Sequence, residues 1–350
     1  MLRLVVSQTS PRAFRSILDA LQATSHAAAG RHILIEPGQY PNTGFRSSSD
    51  FVLSAMDGPG TVTLDGATNA TLELTGHVTL QGITVRNWNE DGCALNVKDG
   101  SVLAEDCEFV SRRGSVAVRA WGGGRLALKG CRVEDGVVVY ASASGLLEGT
   151  TVTGTEHNAV ALRMGSSVTL RSCVVEKAGG NGIWITEGAR PLIERCTIGD
   201  SGVSAIRVDD RADAVIRNTA VRGTKGSALV VADNGVALVE DCLIKDAGRS
   251  RCGPPTAGPS SGGGSGWRRR SGTGSSSRAR PGRSRTATSS RRRRTAWSPT
   301  RPGTSRSPGG GSRVRAGPGS TSWTAATDCS TGRPSPAAAR TARSRARGPS

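Results

Sequence analysis

Inward-facing small and apolar residues recur along this chain, in most places every 23 residues. One such column is Ile83, Cys107, Cys131, Thr150, Cys173, Cys196, Thr219 and Cys242, with steps of 24, 24, 19, 23, 23, 23 and 23 residues. An apolar residue stands three positions before and two positions after each member. Because side chains alternate between the two faces of a strand, a step of three requires a corner between two short strands. A period of this length with strand-like segments predicts a solenoid.

The residues at the predicted corner support this interpretation. They are Gly82, Asp106, Gly130, Gly149, Ser172, Arg195, Asn218 and Asp241. Six of these eight are Gly, Asp or Asn, the residues that best tolerate a left-handed backbone. The sequence therefore encodes a bend at the same place in every repeat.

A third strand is predicted between these segments. Its inward pairs are Leu72/Leu74, Leu95/Val97, Val118/Ala120, Val137/Val139, Val160/Leu162, Ile183/Ile185, Ile206/Val208 and Leu229/Val231. Three strands per coil, each stacked on its copy one coil later, predict an all-β, three-sheet parallel β-helix. Adjacent coils of such a solenoid lie ~4.8 Å apart.

The outward position before each corner alternates in charge. It is occupied by Gln81, Glu105, Lys129, Glu148, Arg171, Glu194, Arg217 and Glu240. Stacked opposite charges attract, by ~0.2–1 kcal/mol per pair, and like charges repel. We interpret this ladder as a device that fixes the register of the coils rather than as a catalytic feature.

These segments resemble the right-handed parallel β-helix repeats of the pectin-lyase-like superfamily, across about residues 12–249. The segment VTLQGITVRN (78–87) is close to the typical coil of that superfamily, which also favours Gly or Asn at the corner. The resemblance implies a right-handed solenoid. It does not imply one activity, because the same coil occurs in lyases, hydrolases, epimerases, tail spikes and non-catalytic modules.

Three regions are predicted along the chain. Residues 1–30 form an N-terminal segment with an amphipathic helix that covers the open end of the solenoid. Ser10 followed by Pro11 is typical of a helix start. The apolar face of that helix is Phe14, Ile17, Leu18 and Leu21, and residues 31–249 form the β-helix.

Residues 250–350 form the third region, a predicted disordered tail. It contains 21 Arg, no Lys and one acid (Asp328), whereas the first 250 residues carry a net charge of −2. The tail also lacks Ile, Leu, Met, Phe and Tyr, so it cannot form a core. A segment rich in Arg, Gly, Pro, Ala and Ser but without Lys is typical of translated GC-rich DNA. We therefore expect that this segment is translated out of frame. Shifting the reading frame near codons 249–252 should restore further coils or a second domain. Only a genuine arginine-rich tail would bind nucleic acid.

The cysteines indicate a reducing compartment. Cys107, Cys131, Cys173, Cys196 and Cys242 share the inward column, with no CxxC pair. We expect free buried thiols without disulfides or metal, no cofactor, and a cytoplasmic location. The sequence has neither a secretory signal nor an apolar run long enough to span a membrane, so no membrane partner is predicted.

The candidate binding site lies on the outward face of the third strand. It combines aromatic residues with charged ones: Arg119, Trp121, Tyr140, Arg163, Trp184, Arg207 and Asp209. Exposed rings beside arginines fit a sugar, a carboxylate or a partner protein. In enzymes of the resembled superfamily the corresponding sheet forms the substrate groove.

The sequence favours a non-catalytic recognition or scaffold module that binds a carbohydrate or protein partner through this face. No catalytic residue is assigned, because paired acids flanking a substrate are missing from it. Asp209, Asp210 and Asp213 lie near Arg207, but the neighbouring repeats offer too few oxygens for calcium. The alternative is a carbohydrate-active polysaccharide lyase or glycoside hydrolase.

Overall fold

The computed structural model describes residues 1–25, 30–112 and 115–248, together with the backbone of three short strands between residues 312 and 345. Each coil contributes one strand to each of three sheets, named here sheets A, B and C. The strands of sheet A are β1 (Leu2–Val6), β2 (Arg31–Ile35), β5 (Phe51–Ala55), β8 (His77–Gln81), β11 (Ser101–Glu105), β14 (Arg125–Lys129), β17 (Ser144–Glu148), β20 (Ser167–Arg171), β23 (Leu192–Glu194), β26 (Asp213–Arg217), β29 (Val236–Glu240) and β31 (Ser312–Arg315).

Sheets B and C complete each coil. The strands of sheet B are β3 (Gly38–Tyr40), β6 (Val62–Gly66), β9 (Ile83–Asn87), β12 (Glu108–Ser111), β15 (Arg132–Glu134), β18 (Thr151–Thr153), β21 (Val174–Glu176), β24 (Thr197–Gly199), β27 (Ala220–Arg222) and β30 (Leu243–Lys245). Those of sheet C are β4 (Phe45–Ser47), β7 (Ala70–Leu74), β10 (Cys93–Lys98), β13 (Val118–Trp121), β16 (Val137–Val139), β19 (Val160–Leu162), β22 (Ile183–Ile185), β25 (Ile206–Val208), β28 (Leu229–Val231), β32 (Ser320–Trp323) and β33 (Arg343–Arg345).

The architecture is a right-handed parallel β-solenoid of about nine turns, which confirms the predicted fold class. Equivalent positions of successive repeats pair directly, as in Leu95↔Val118 and Val118↔Val137. The inward residues of all three sheets form one continuous apolar core. Burial weakens only at the last coil, where Val239, Cys242 and Ile244 are half-buried.

The predicted corners are present in every repeat. All eight corner residues have a positive φ, between 48° and 67°. Ser172 and Arg195 adopt this conformation too, at 52° and 55°, although it costs a residue with a side chain ~1–2 kcal/mol. Stacking of the flanking strands therefore outweighs local preference at these two positions.

The cysteine column has a structural explanation. Cys173 Sγ donates to the carbonyl oxygens of Arg171 (3.4 Å) and Leu147 (3.2 Å). Thr150 Oγ1 donates in the same way to Glu148 and Leu128, both at 3.2 Å. From Cys107 onward the position is occupied by a small side chain with one donor, which Cys and Thr both supply.

The six cysteines of the described residues are free thiols. Hydrogen bonding with Cys131, together with burial, raises the pKa of Cys107, while the same hydrogen bond lowers the pKa of Cys131. The buried thiols of the column donate to backbone carbonyl oxygens, so we assign the column a structural role. The predicted cytoplasmic location stays a prediction.

The alternating ladder on sheet A forms as predicted. Arg171 lies between two acids, with Nε 2.5 Å from Glu194 and Nη1 3.6 Å from Glu148. Lys129 pairs with Glu105 at 3.8 Å, and Arg217 with Glu240 at 2.5 Å. The charges of the ladder itself are therefore paired between successive coils.

The N-terminal cap differs from its prediction in detail. The helix α1 (Ile17–Ala23) begins after the cap residue Ser16, whose side chain accepts from Asp19 N at 3.0 Å. Ser10 does not cap it, because Ser10 N donates to Ser7 Oγ in a turn and Phe14 then bridges to Val6. The buried face is Ile17, Ala20 and Leu21.

Leu18, which was predicted to lie on the apolar face of the helix, is exposed. Strand β1 was not predicted from the sequence, and it extends sheet A by pairing with β2. The helix nevertheless joins the solenoid core.

Most of the predicted disordered tail lies outside the described residues. The exceptions are β31, β32 and β33, where no strand was expected from the composition. β31 pairs antiparallel with β29, and β32 with β28. Pairing of this kind needs only backbone groups, so composition gives no signal for it. The expected change of reading frame stays a prediction.

The chain separates into two compact units, Met1–Arg251 with Gly309–Ser350, and Cys252–Pro308. The second unit lies outside the described residues. Within the described ranges no helix is long and apolar enough to cross a membrane.

Candidate functional site

The outer face of sheet C carries two columns of side chains that run along the solenoid. The first column is Arg46, Glu73, Asn96, Arg119, Val138, Ala161, Trp184, Arg207 and Val230. The second is Lys98, Trp121, Tyr140, Arg163, Thr186, Asp209 and Ala232. Adjacent members are about one rung, ~4.8 Å, apart. All seven predicted site residues lie on this one face, where they form two clusters.

The first cluster, the Trp121 cluster, is a stack of side chains from three consecutive coils. Trp121 and Tyr140 are parallel, with an interplanar angle of 4° and ring centroids 6.2 Å apart. Lys98 Nζ lies 4.6 Å from the centroid of Trp121. The indole N–H of Trp121 donates to Asn96 Oδ1 at 2.9 Å. Three glycines follow Trp121, so the turn after it carries no side chain to cover the ring.

This stacking decides what Trp121 can offer a ligand. Lys98 and Tyr140 lie on the adjacent coils on either side of it, and both contact the ring. A sugar ring stacks on an open face of an aromatic ring. Both faces of the Trp121 ring are covered by side chains of the neighbouring coils. The cluster therefore presents ring edges and cations, which suit a charged ligand group better than an apolar one.

Arg119 is the second cation of the Trp121 cluster. It is half-buried and its Nη2 donates to the backbone oxygen of Asp91 at 3.4 Å. That oxygen belongs to the loop 88–92, which leads from sheet B into β10. Arg119 thus lies between the sheet face and the loop.

The second cluster, the Trp184 cluster, is a network of ion pairs and hydrogen bonds. Arg207 Nε lies 2.6 Å from Asp209 Oδ2, and the indole N–H of Trp184 donates to the same carboxylate at 3.3 Å. Arg163 pairs with Glu187 at 2.6 Å, while its guanidinium carbon lies 5.4 Å from the Trp184 ring centroid. Asp209 is only 6% exposed. The charged groups of this cluster are paired with one another, although Arg163 Nε and Glu187 Oε2 are buried without a hydrogen-bond partner.

The local geometry follows from the turn between sheets C and A. In five coils the member of the second column begins a tight turn, and its carbonyl oxygen accepts from the backbone N–H three positions later at 2.7–3.2 Å; these residues are Tyr140, Arg163, Thr186, Asp209 and Ala232. Both central residues of each turn have positive φ, which defines a type I′ turn. In the turn that begins at Arg163 these residues are Met164 (50°) and Gly165 (71°). The repeated turn keeps the second column aligned over successive coils.

The charge balance differs between the clusters. Arg46 pairs with Glu73, Arg163 with Glu187, and Arg207 with Asp209. Among the described residues, Lys98 and Arg119 of the same face have no carboxylate within ion-pair distance. Both are half-buried, and a half-buried cation without a counter-ion costs free energy. The Trp121 cluster is thus a local excess of positive charge.

The sequence analysis did not assign three residues of this face to the site: Asn96, Lys98 and Glu187. Asn96 and Lys98 occupy outward positions in the same register as Arg119 and Trp121, so the repeat itself was a signal for them. Glu187 lies in a turn, 24 residues after its partner Arg163, and only the observed turn geometry brings it onto the face.

The arrangement can hold an anion but lacks free acid–base groups. Both carboxylates of the Trp184 cluster, Glu187 and Asp209, are engaged in ion pairs with arginines. The described part of the chain contains no group of three or more His, Cys, Asp or Glu side chains that could hold a metal ion.

Comparisons with known proteins agree with the architecture. The sequence model of the family described as "Right handed beta helix region" matches residues 70–189 and 116–264. A search of curated proteins found no match to the sequence.

Three solved structures are among those to which this chain is similar. Pectin methylesterase PemA from Erwinia chrysanthemi has 13% identity and a TM-score of 0.45, over 72% of this chain and 92% of that one. Pectate lyase Pel9A has 12% identity and a TM-score of 0.46, over 71% and 76%. Alginate lyase from Paenibacillus sp. str. FPU-7 has 14% identity and a TM-score of 0.49, over 70% and 96%.

Proposed function

The chain belongs to the right-handed β-helix family, and on that premise we propose that it is a non-catalytic recognition module that binds an acidic polysaccharide through sheet C. The observation that carries the proposal is the pair of half-buried cations, Lys98 and Arg119, which have no carboxylate partner among the described residues. A carboxylate of the ligand would accept charge-assisted hydrogen bonds from both.

The shape of the face supports an extended ligand. The two columns of sheet C run in register from coil to coil and have one side chain per rung. A polysaccharide bound along them would contact the Trp121 cluster and then the Trp184 cluster. Trp121 and Trp184 lie three coils apart. The register-locked strands hold these groups in place before binding, which lowers the entropic cost of association.

A protein partner fits this face less well. Protein interfaces are centred on large, desolvated apolar anchors surrounded by a polar rim. None of the exposed large hydrophobic residues of the described chain belongs to either column. The sheet C face is polar and charged along most of its length, which favours a hydrated, charged ligand.

Catalysis is the alternative function, and the ion pairs of the Trp184 cluster count against it. A lyase or hydrolase needs a base or a proton donor at the scissile bond. Freeing Asp209 for that role would leave Arg207 and the Trp184 N–H without their shared acceptor.

The proposal is tested by titrating the full chain with polygalacturonate and with alginate, using neutral dextran as a control. We expect saturable binding of at least one acidic polymer that weakens as salt is added, with no new reducing or unsaturated ends. Arg119→Gln should weaken binding about tenfold, the value of one hydrogen bond to a charged group. Arg125→Gln is the matched control, because Arg125 is an exposed, unpaired arginine on sheet A.

Turnover of either polymer would favour the enzymatic alternative. Failure of both polymers to bind, or equal weakening by the two substitutions, would contradict the proposed site.

A further inference from the structure

The most exposed tryptophan of the described residues lies outside the two clusters of sheet C. Trp88 is 53% exposed and immediately follows β9, in the loop 88–92. Tryptophans buried in a solenoid contribute to its core, whereas an exposed one adds nothing to the core and exposes apolar surface to water. The position of Trp88 therefore calls for an explanation other than folding.

The loop that carries Trp88 is held rigidly. The fully buried side chain of Asn87 accepts from Asn89 N at 2.9 Å and donates to Thr68 O and Thr71 Oγ1, both at 3.0 Å. Trp88 N donates to Gly66 O at 2.9 Å. The backbone position of Trp88 is thus a fixed feature of the fold, so ordering of the loop costs little entropy when a ligand binds.

Further contacts anchor the other end of the loop. Asp91 N donates to Asn89 Oδ1 at 3.1 Å, and Glu90 pairs with Arg112 of the next coil at 2.8 Å. The loop therefore cannot fold over Trp88 without breaking several hydrogen bonds, each worth about 1 kcal/mol.

The indole of Trp88 has no partner of its own. Within residues 1–25, 30–112 and 115–248 it takes part in no ring–ring or cation–ring contact, and its N–H has no acceptor. Trp121 and Trp184 differ in both respects, since their rings are stacked or covered and their N–H groups donate. Trp88 thus offers the free ring face that the Trp121 cluster lacks.

The loop also connects Trp88 to the cations of that cluster. Asp91 O accepts from Arg119 at 3.4 Å. Trp88 lies three residues from Asp91, so the two backbone positions are at most about 11 Å apart. This is within the span of a short oligosaccharide.

From these contacts we propose that Trp88 forms a sugar-stacking subsite next to the anion subsite at Arg119 and Lys98. One sugar ring of an acidic oligosaccharide stacks its apolar face on the indole, while a carboxylate of the same chain accepts hydrogen bonds from Arg119. The inference rests on the proposed function, because it takes the acidic polysaccharide as the ligand. It adds an aromatic platform to the proposed site. It also places the ligand on the side of sheet C where the loop 88–92 lies.

The test compares Trp88→Ala with Trp88→Phe in the full chain, using polygalacturonate oligosaccharides as the probe. Removal of the ring should weaken binding roughly tenfold, as for an interface anchor, whereas Phe should keep most of the affinity. Val203→Ala is the matched control, because Val203 is 51% exposed in the equivalent loop of a later coil. It should leave binding unchanged.

Stability separates a binding role from a packing role. Because Trp88 is exposed, Trp88→Ala should leave the thermal midpoint within about 2 °C, the size of a surface effect of ±0.5 kcal/mol. Wild-type affinity in Trp88→Ala would overturn this inference and leave the proposed function standing. Lack of binding by the unmodified protein would overturn both, and weakening by Phe equal to that by Ala would show that the ring does not stack.

Discussion

On the outer face of sheet A, charges alternate in sign from coil to coil, whereas the outer face of sheet C carries rings and cations without such alternation. Both faces are built on the same rungs, so the difference does not come from the backbone. Lys129, Arg171 and Arg217 on sheet A each have an acid on an adjacent coil. On sheet C, Lys98 and Arg119 do not. Stacking of the coils explains the charges on sheet A, because each cation has an acid on an adjacent coil. It does not explain the unpaired cations on sheet C, for which a ligand would supply the anion.

The largest effect should come from reversing the unpaired cations of sheet C. Lys98→Glu with Arg119→Glu removes two charge-assisted contacts and repels an acidic polymer, so binding should fall about 100-fold or more. Calorimetric titration with polygalacturonate checks this.

The control for that prediction is Arg125→Glu with Arg190→Glu. Both residues are exposed on the sheet A side, and the change in net charge is the same. If this control weakens binding equally, attraction by overall charge explains the effect and the comparison of the two faces fails.

The second prediction concerns the thiol beneath the site. Burial raises the pKa of Cys93 to about 11 from its ordinary value of 9.0, although Arg119 opposes the shift. A raised folded-state pKa means that the contribution to stability is complete below pH 9 and is lost as the pH rises through about 11. We expect the free energy of unfolding to fall by up to about 1.4 kcal/mol per pH unit in that window.

Chemical denaturation at several pH values measures this loss. Cys93→Ala should reduce the slope by the share of one thiol, because Cys107, Cys196 and Cys242 also have raised pKa values and keep their own shares. An unchanged slope would show that Cys93 does not contribute.

The third prediction separates structure from binding within sheet C. Arg207→Ala leaves the buried carboxylate of Asp209 with only the Trp184 N–H as a partner. The protein should lose about 1–3 kcal/mol of stability, measured by denaturant unfolding.

Arg207→Ala combined with Asp209→Asn should recover part of the loss, because the neutral amide needs no counter-ion. If the single substitution leaves stability unchanged, the Trp184 cluster is not a structural network and its residues are available to a ligand.

The smallest effect should come from the ladder on sheet A. Arg171→Glu places three acids in a row and removes two ion pairs, which at these solvent-screened positions should lower the thermal midpoint only slightly. The hydrogen bond from Arg171 lowers the pKa of Glu194 below its ordinary value of 4.5. The ladder therefore stabilises above that pH and less as the pH falls.

Thermal unfolding at low and high salt measures this effect, and Arg171→Gln should show about half of it. Binding to the acidic polymer should stay the same, since the site lies on another sheet. A larger loss of binding than of stability would contradict the division of roles between the two faces.

The sequence predicted the inward columns, the corners and the ladder because each is a local rule repeated at a constant spacing. Cys131 and Thr150 differ in chemistry but share a position, and the 19-residue step between them was enough to show a shortened coil. The coil shortens between β15 and β16, where Asp135 and Gly136 alone connect the two strands. Such features follow from periodicity alone.

The sequence could not decide contacts that join different coils outside the repeat. The start of α1 at Ser16 depends on the turn at Ser7 and on the bridge from Phe14 to Val6. The pairing of Arg163 with Glu187 depends on two left-handed turn residues, Glu187 and Gly188. Neither follows from a spacing, because both require the backbone path to be known.

By itself, the sequence determined the solenoid, its register and the face on which the rings and cations lie, since stacked repeats place equal positions one above another. Only the tertiary structure decided which of those side chains are free. It showed that the Trp121 ring is stacked, that Arg207 serves Asp209, and that Lys98, Arg119 and Trp88 keep unused binding capacity. The physical reason is that side-chain pairing depends on distances of a few ångströms between coils, which a repeat length does not fix.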